Sequence, residues 1–215
     1  MIPRLDPVEV RVLGCLIEKE NTTPEYYPLT LNALLNACNQ KSNRDPMVSY
    51  DEDTVQEALD RLRDKRLITI LTGGGNRVPK YGHRISDHLN LGRREIALLC
   101  ELMLRGPQTL GELRDRAGRM HRFSDIEEVE ACVQALAERE HPLTIKLPRQ
   151  MGMKENRYAH LLCGADAIPQ ASVEPMRSAG GPDRIAALES ELAELRERIA
   201  ALEEDFRRFK GEFGV

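Results

Sequence analysis

The 215-residue sequence has no tryptophan, and aromatic residues make up only 4% of it. So few rings cannot form the aromatic stacking surface on which many proteins bind single-stranded nucleic acid. No window approaches about 18 consecutive apolar residues, which excludes an apolar membrane-spanning helix. The N-terminus lacks a charged segment followed by an apolar one, so we expect a cytoplasmic protein without a secretory signal.

Disulfide and metal-site patterns are also missing. The five cysteines are an odd number and include no Cys-x-x-Cys pair, so reduced thiols are expected. Four of them lie among apolar neighbours on predicted helices and should be buried: Cys15, Cys38, Cys100 and Cys132. The five histidines form no i,i+4 pair and none lies near a cysteine at zinc spacing, so neither a metal nor a cofactor is expected.

Signatures of catalysis are absent as well. The glycine run 73–75 is followed by Asn76 and Arg77, whereas a phosphate-binding loop continues with Lys and Ser or Thr before a helix. No Gly-x-Ser-x-Gly elbow occurs. An enzyme would need a site assembled from scattered residues, so the sequence predicts a non-enzymatic protein and assigns no catalytic residue.

The formal net charge of −4 comes from one end of the chain. Residues 164–215 hold 7 basic and 11 acidic residues, whereas residues 1–163 are balanced. Equal numbers of basic and acidic residues over 1–163 neither support nor exclude DNA binding.

An internal repeat organises residues 1–163. Residues 5–13 align with 91–99 at an offset of 86, and Lys19 aligns with Arg105 at the same offset. Three further pairs of segments keep this order while the offset drifts: 29–34 with 108–113, 55–62 with 129–136, and 80–83 with 157–160. Two copies with loops of different length indicate a duplicated domain rather than a solenoid.

Each copy predicts three helices followed by a β-hairpin, because apolar residues recur first at helical spacing and then in β-rich runs. The expected helices are 6–20, 30–39, 52–65, 92–105, 109–117 and 125–139, and the expected hairpins are 67–71 with 77–81 and 143–147 with 157–161. Asp6 and Asp51 are expected N-caps, with Pro7 in the first turn. Pro79 cannot donate to a strand ladder, so its strand should lie at a sheet edge.

This order predicts a mainly α fold with small β-hairpin wings, made of two tandem winged-helix domains and a C-terminal coiled-coil helix. The predicted boundaries are 1–88 and 89–163 for the two domains. A Pro-, Gly- and Ser-rich linker is expected over 164–182, and the coiled coil over 183–210.

The coiled-coil prediction rests on apolar residues spaced alternately by three and four over four heptads. They are Ile185, Leu188, Leu192, Leu195, Ile199, Leu202, Phe206 and Phe209. In a parallel pair the flanking residues would meet with charges of opposite sign, as Arg184–Glu189, Glu191–Arg196, Arg198–Glu203 and Asp205–Lys210. The pattern favours a parallel homodimer over a helix that folds back on the body.

Two polar segments are candidate contact surfaces. Residues 39–46 are dense in amide and basic groups, which suit a phosphate, a partner or the loop's own hydrogen bonds. Residues 114–122 hold four arginines and one histidine, which suit phosphate contacts or a solvated helix and turn. The predicted nucleic-acid or partner contacts are Lys41, Asn43, Arg44, Arg114, Arg116, Arg119 and Arg122.

The segment Leu29-Thr30-Leu31-Asn32-Ala33-Leu34 runs into Asn39-Gln40-Lys41-Ser42-Asn43-Arg44-Asp45-Pro46, after Leu5-Asp6-Pro7-Val8-Glu9 and Glu18-Lys19. In these motifs the chain resembles the YceH-like family of uncharacterised bacterial proteins. The resemblance covers both copies and the C-terminal helix. It implies a tandem winged-helix fold and transfers no catalytic or binding residues.

This architecture predicts a DNA-binding, transcription-regulator-like protein, and the alternative is a non-enzymatic protein–protein adaptor. The arginines of 114–122 favour DNA. The predicted third helices favour an adaptor, because they begin with carboxylates at 51–53 and 125–128 that would face phosphates.

Overall fold

A computed structural model describes residues 3–73, 76–149, 152–153 and 155–167. Within them the helices are α1 (Pro7–Thr22), α2 (Leu31–Cys38), α3 (Glu52–Asp64), α4 (Ile85–Leu89), α5 (Arg93–Arg105), α6 (Leu110–Ala117) and α7 (Ile126–Ala137). The strands are β1 (Leu29–Thr30), β2 (Ile68–Gly73), β3 (Asn76–His83), β4 (Thr144–Lys146) and β5 (Tyr158–His160). The prediction of a mainly helical chain with small antiparallel sheets is confirmed.

Three of the helices begin at an aspartate that caps free backbone N–H groups. Asp6 accepts hydrogen bonds from the amides of Val8 at 2.8 Å and Glu9 at 2.9 Å, while the Glu9 carboxylate accepts from the Asp6 amide. Asp51 accepts from the Thr54 amide at the start of α3, and Asp125 accepts from the Glu128 amide at the start of α7. The predicted caps at Asp6 and Asp51 are confirmed, and part of the acidity at the starts of α3 and α7 serves the helices themselves.

The first sheet has the strand order β1-β3-β2, with all strands antiparallel. The prediction that Pro79 lies on an edge strand is wrong, because β3 is the central strand. Thr30 of β1 pairs with Lys80, so Pro79 lies just past the end of β1, where its missing N–H removes no bond to that strand.

The second sheet repeats this pattern in a reduced form. Thr144 pairs with His160, as Ile68 pairs with His83 in the first sheet. An isolated bridge between Gln108 and Tyr158 occupies the place of the β1–β3 pairing. The two halves therefore share one order of elements, as the repeat predicts.

Helices α1 and α5 pack against each other, and every residue from 9 to 18 and from 96 to 104 is buried. The Cys100 thiol donates to the Gly14 carbonyl at 3.3 Å, so the backbones of the two helices approach closely. One hydrophobic cluster contains residues of both halves, from Leu5 and Leu13 to Leu99 and Leu162. The two halves are joined by a shared core.

Two short elements, β1 and α4, have no counterpart in the prediction. The predicted linker starts within ordered structure, since the Gly164 amide donates to the Leu161 carbonyl and Asp166 pairs with Arg4 at 2.5 Å. The predicted coiled coil and dimer contacts over 183–210 lie outside the described residues. No helix in the described part of the chain is long and apolar enough to cross a bilayer.

Candidate binding surfaces

The loop 39–46 is held by its own hydrogen bonds. The Asn39 amide side chain donates to the Tyr50 carbonyl and accepts from the Tyr50 amide, both at 2.8 Å. Asn43 adopts a left-handed backbone conformation with φ of 58°, which asparagine tolerates better than most residues. Of the three predicted roles for this loop, internal hydrogen bonding accounts for Asn39.

Arg44 lies inside the protein rather than on its surface. Its guanidinium donates to the Glu18 carboxylate at 2.5 and 3.1 Å, and its Nε donates to the Ala37 carbonyl at 3.1 Å. Both side chains of the ion pair are at most 1% exposed. Arg44 is therefore unavailable to a phosphate or a partner, and the sequence could not show this because Glu18 is 26 residues away.

Arg119 joins the two halves. Its guanidinium lies 2.6 Å from Glu18 Oε1 on α1 and 2.8 Å from Glu101 Oε1 on α5. Arg105 Nε lies 3.1 Å from the second oxygen of Glu101. Burial alone would raise the pKa of Glu18, but the hydrogen bonds and charge of Arg44, with the charge of Arg119, outweigh burial and lower it.

The carboxylates of Glu18 and Glu101 are absent from the sequence-based candidates. A usable signal existed, since Glu18 directly follows the apolar stretch of α1 that ends at Ile17, and Cys100 and Leu102 flank Glu101 within an apolar stretch of α5. A charged residue in such a place must find a buried partner.

The other predicted contacts differ in availability. Arg116 contacts Glu112 at 3.2 Å and the Gln108 side chain at 2.8 Å, and Arg114 pairs with Asp115 at 3.1 Å. The Asn43 side chain accepts from Arg105. Lys41 and Arg122 are exposed and form no ion pair within the described residues. These two are the predicted cations that remain open to a partner.

The exposed side of each third helix is acidic. Residues 51–64 hold six acidic and two basic residues, and residues 125–137 hold four acidic residues and no basic one. The two basic residues of α3 are neutralised locally, since Arg61 contacts Asp6 and Arg63 contacts Asp60. Glu52, Asp53, Glu127 and Glu130 are exposed and unpaired within the described residues. We call these four residues the acidic face.

Cysteines and histidines provide no metal centre in the described part of the chain, where no group of three or more metal-binding side chains comes together. The predicted burial of Cys15, Cys38 and Cys100 as free thiols is confirmed, whereas Cys132 is partly exposed. His83 and His160 end equivalent strands, and each has a buried Nδ1 atom without a hydrogen-bond partner in the described structure.

Acid is expected to destabilise the protein through His160. Burial lowers the pKa of His160 to about 4, below the 6.5 of an unperturbed histidine. Since the unfolded chain takes up the proton first, this contribution to stability is complete above about pH 6.5 and is lost as the pH falls toward about 4. Between about pH 7.5 and pH 5, the free energy of unfolding should fall by about 2 kcal/mol for this reason.

Denaturant titrations of wild type and His160→Asn at these two pH values measure the effect. Between these two pH values the free energy of unfolding should fall by about 2 kcal/mol less in His160→Asn than in the wild type. The matched control is His141→Asn, at an exposed histidine, which should leave it unchanged. Equal pH dependence in all three proteins would show that His160 does not contribute.

Comparisons with known proteins agree on one family. The model of a family described as protein of unknown function, DUF480, matches residues 5–153. A UPF0502 protein of Koribacter versatilis is 58% identical over 193 residues, which cover 89% of this chain and 90% of the relative. A UPF0502 protein of Pelobacter propionicus is 54% identical over 215 residues, which cover 97% and 98%. The chain therefore belongs to the DUF480 family, the uncharacterised bacterial proteins also named UPF0502.

Proposed function

We propose that this protein is a non-enzymatic adaptor made of two winged-helix modules. Three helices followed by an antiparallel hairpin occur twice, and the strand order β1-β3-β2 of the first half is that expected of a winged helix. The Gln108–Tyr158 bridge supports the same arrangement in the second half. In this interpretation α3 and α7 are the helices that other winged-helix proteins use for recognition.

The acidic face is the observation that carries the adaptor proposal. A recognition helix that enters a DNA groove must approach phosphates, which require cations or neutral donors. Here the corresponding helices present Glu52, Asp53, Glu127 and Glu130, and α7 has no basic residue to offset them. Carboxylates in these positions instead complement a basic protein surface.

Exposed apolar side chains on the hairpins also favour a protein partner. Leu71 and Val78 on β2 and β3 are 41% and 52% exposed, and Ile145 on β4 is 36% exposed. Burying such side chains against a protein partner stabilises the complex, whereas a DNA backbone offers little apolar surface against which to bury them. The predicted parallel homodimer through 183–210 would present two copies of these surfaces.

Titrations of the full-length protein with duplex DNA and with decalysine separate the adaptor from a DNA-binding protein. We expect no saturable DNA binding between about 25 and 200 mM salt, because the acidic face repels phosphates. We expect decalysine to bind, and binding to weaken at least about fivefold when Glu52, Glu127 and Glu130 become Gln and Asp53 becomes Asn. The matched control neutralises four exposed acids elsewhere and should have little effect: Glu25→Gln, Asp87→Asn, Glu140→Gln and Glu155→Gln.

DNA binding is the second candidate, and the exposed cations Lys41 and Arg122 favour it. If it is correct, duplex DNA binds with an affinity that falls linearly with salt on logarithmic axes. Lys41→Ala with Arg122→Ala would then reduce the slope by about 0.9 for each phosphate that these side chains neutralise. That result, or decalysine binding that the acidic-face variant leaves unchanged, would refute the adaptor proposal.

A further inference from the structure

A groove of about 420 Å³ lies beside the junction of the two halves, away from α3 and α7. Its walls come from α1, the segment before α3, the end of α5 and the chain after β5. Most of the lining is apolar and includes Val10, Val48 and Met103. Its volume lies within the range of about 300–1,000 Å³ that small-molecule sites show, and such sites are also mostly apolar.

Arg11 places a buried positive charge on this wall. The residue is 4% exposed, and its guanidinium donates to the Pro46 carbonyl at 2.6 Å and to the Cys38 carbonyl at 3.5 Å. Among the described residues no carboxylate oxygen lies within 4.0 Å of it, whereas the equally buried Arg44 has Glu18. Asp45 also lines the groove, but it is exposed and farther than 4.0 Å from Arg11.

The two carbonyls offset this charge only in part. Cys38 ends α2, and a helix C-terminus supplies about half a negative charge. A buried guanidinium is costly unless an anion pairs with it. The groove therefore contains a cation whose counter-ion the described residues do not supply.

A second buried polar group borders the same space. His160 lines the groove, and its Nδ1 atom is buried without a hydrogen-bond partner in the described structure. A buried polar atom without a hydrogen-bond partner is uncommon in folded proteins, and a bound ligand or water often supplies the missing bond. Arg11 and His160 thus add polar groups to a mostly apolar lining, in which the second cation, Arg105, is already paired with Glu101 at 3.1 Å.

We propose that this groove binds a small organic carboxylate, with its carboxylate on Arg11 and its apolar body against Val10, Val48 and Met103. A single guanidinium matches one carboxylate through paired N–H donors. The apolar lining suits a hydrocarbon body better than the hydrated oxygens of an inorganic phosphate. The inference is independent of the proposed function, because no residue of the acidic face lines the groove.

The test is an NMR titration of the ¹⁵N-labelled full-length protein with benzoate and with octanoate. At least one of them should give saturable shifts in the amides of residues 10–12 and 48–50. Benzamide, which keeps the ring and lacks the charge, should bind at least about tenfold more weakly than benzoate, as should inorganic phosphate.

Two variants locate the site. Arg11→Gln removes the charge, and Val48→Phe fills the groove while leaving Arg11 intact, so each should weaken carboxylate binding at least about tenfold. Arg122→Gln removes an exposed arginine and should leave binding unchanged. If Arg11→Gln does not fold, Val48→Phe tests whether the carboxylate binds in the groove, and the benzamide comparison tests whether its charge is recognised.

Three results would overturn the inference. If neither carboxylate produces saturable shifts, the site is excluded. If benzamide or phosphate binds as tightly as benzoate, recognition of an organic carboxylate is excluded. If Val48→Phe binds the carboxylate as tightly as wild type does, the binding takes place elsewhere.

Discussion

Replacing Arg44 by methionine is expected to lower the free energy of unfolding by about 3–5 kcal/mol. The methionine keeps much of the apolar volume but removes the partner of the buried Glu18 carboxylate. It also leaves the Ala37 carbonyl without its side-chain donor. Arg119 remains beside Glu18 at 2.6 Å, so the loss should be nearer the lower end of this range. Chemical denaturation at neutral pH measures it.

The effect of Arg44→Met should also depend on pH. In the wild type the pKa of Glu18 is lowered, so its favourable contribution is present above about pH 4.3 and is lost as the pH falls through the pKa of the folded protein. In the variant the pKa of Glu18 rises, because less positive charge lies near Glu18 to oppose the effect of burial. The difference in stability between the two proteins should therefore become smaller toward about pH 4.

A matched control and a second substitution make this prediction specific. Arg114→Met changes an arginine whose ion pair with Asp115 is exposed, so we expect a change within about 0.5 kcal/mol. Arg44→Met combined with Glu18→Leu removes both buried charges and should recover much of the loss. A loss below about 1 kcal/mol for Arg44→Met alone would mean that the pair contributes little to folding.

The second large effect is expected at Gly14, where α1 lies close against α5. A Cβ atom at this position would lie 2.9 Å from Leu104 Cδ2, 3.2 Å from Leu104 Cγ and 3.3 Å from Met103 Cβ. Valine adds three carbon atoms there, so α5 must shift or its side chains must leave their preferred rotamers. We expect Gly14→Val to lower the free energy of unfolding by about 2–3 kcal/mol.

Gly111 offers the matched control, since it is also a helical glycine. A Cβ atom there would meet only the Thr109 hydroxyl, at 4.0 Å. Gly111→Val should therefore change stability by less than about 0.5 kcal/mol. Thermal or chemical unfolding of both variants measures the difference. Equal losses of stability would show that crowding between α1 and α5 is not the reason why valine destabilises position 14.

The regular elements were predictable because their signals are local. The apolar stripes of α3 and α7 and the β-rich runs that become β2 and β3 stand in the sequence at helical and strand spacing. β1 was missed because a two-residue strand is too short to show alternation. The error at Pro79 follows from that omission, since β1 makes β3 the central strand.

The candidate site was harder to predict because its properties depend on distant partners. Arg44 and Lys41 look alike in the sequence, yet one is buried against Glu18 and the other is exposed. The polar character of residues 39–46 was correctly recognised, but polarity alone does not say which donor faces inward. Arg11 was overlooked because its significance lies in the absence of a nearby carboxylate, which only coordinates can reveal.

The packing of α1 against α5 also links the stability of the first half of the described chain to that of the second. Because Leu13 and Leu99 belong to one hydrophobic cluster and Arg119 contacts carboxylates on both helices, part of the stability of each half comes from its contact with the other, and a second cluster lies within the second half alone. A gene fragment that ends between the repeats would encode a chain with one of its largest apolar helix faces open to water. We therefore expect damage to the contact between α1 and α5 to destabilise both copies of the repeat and not only the copy that carries the substitution.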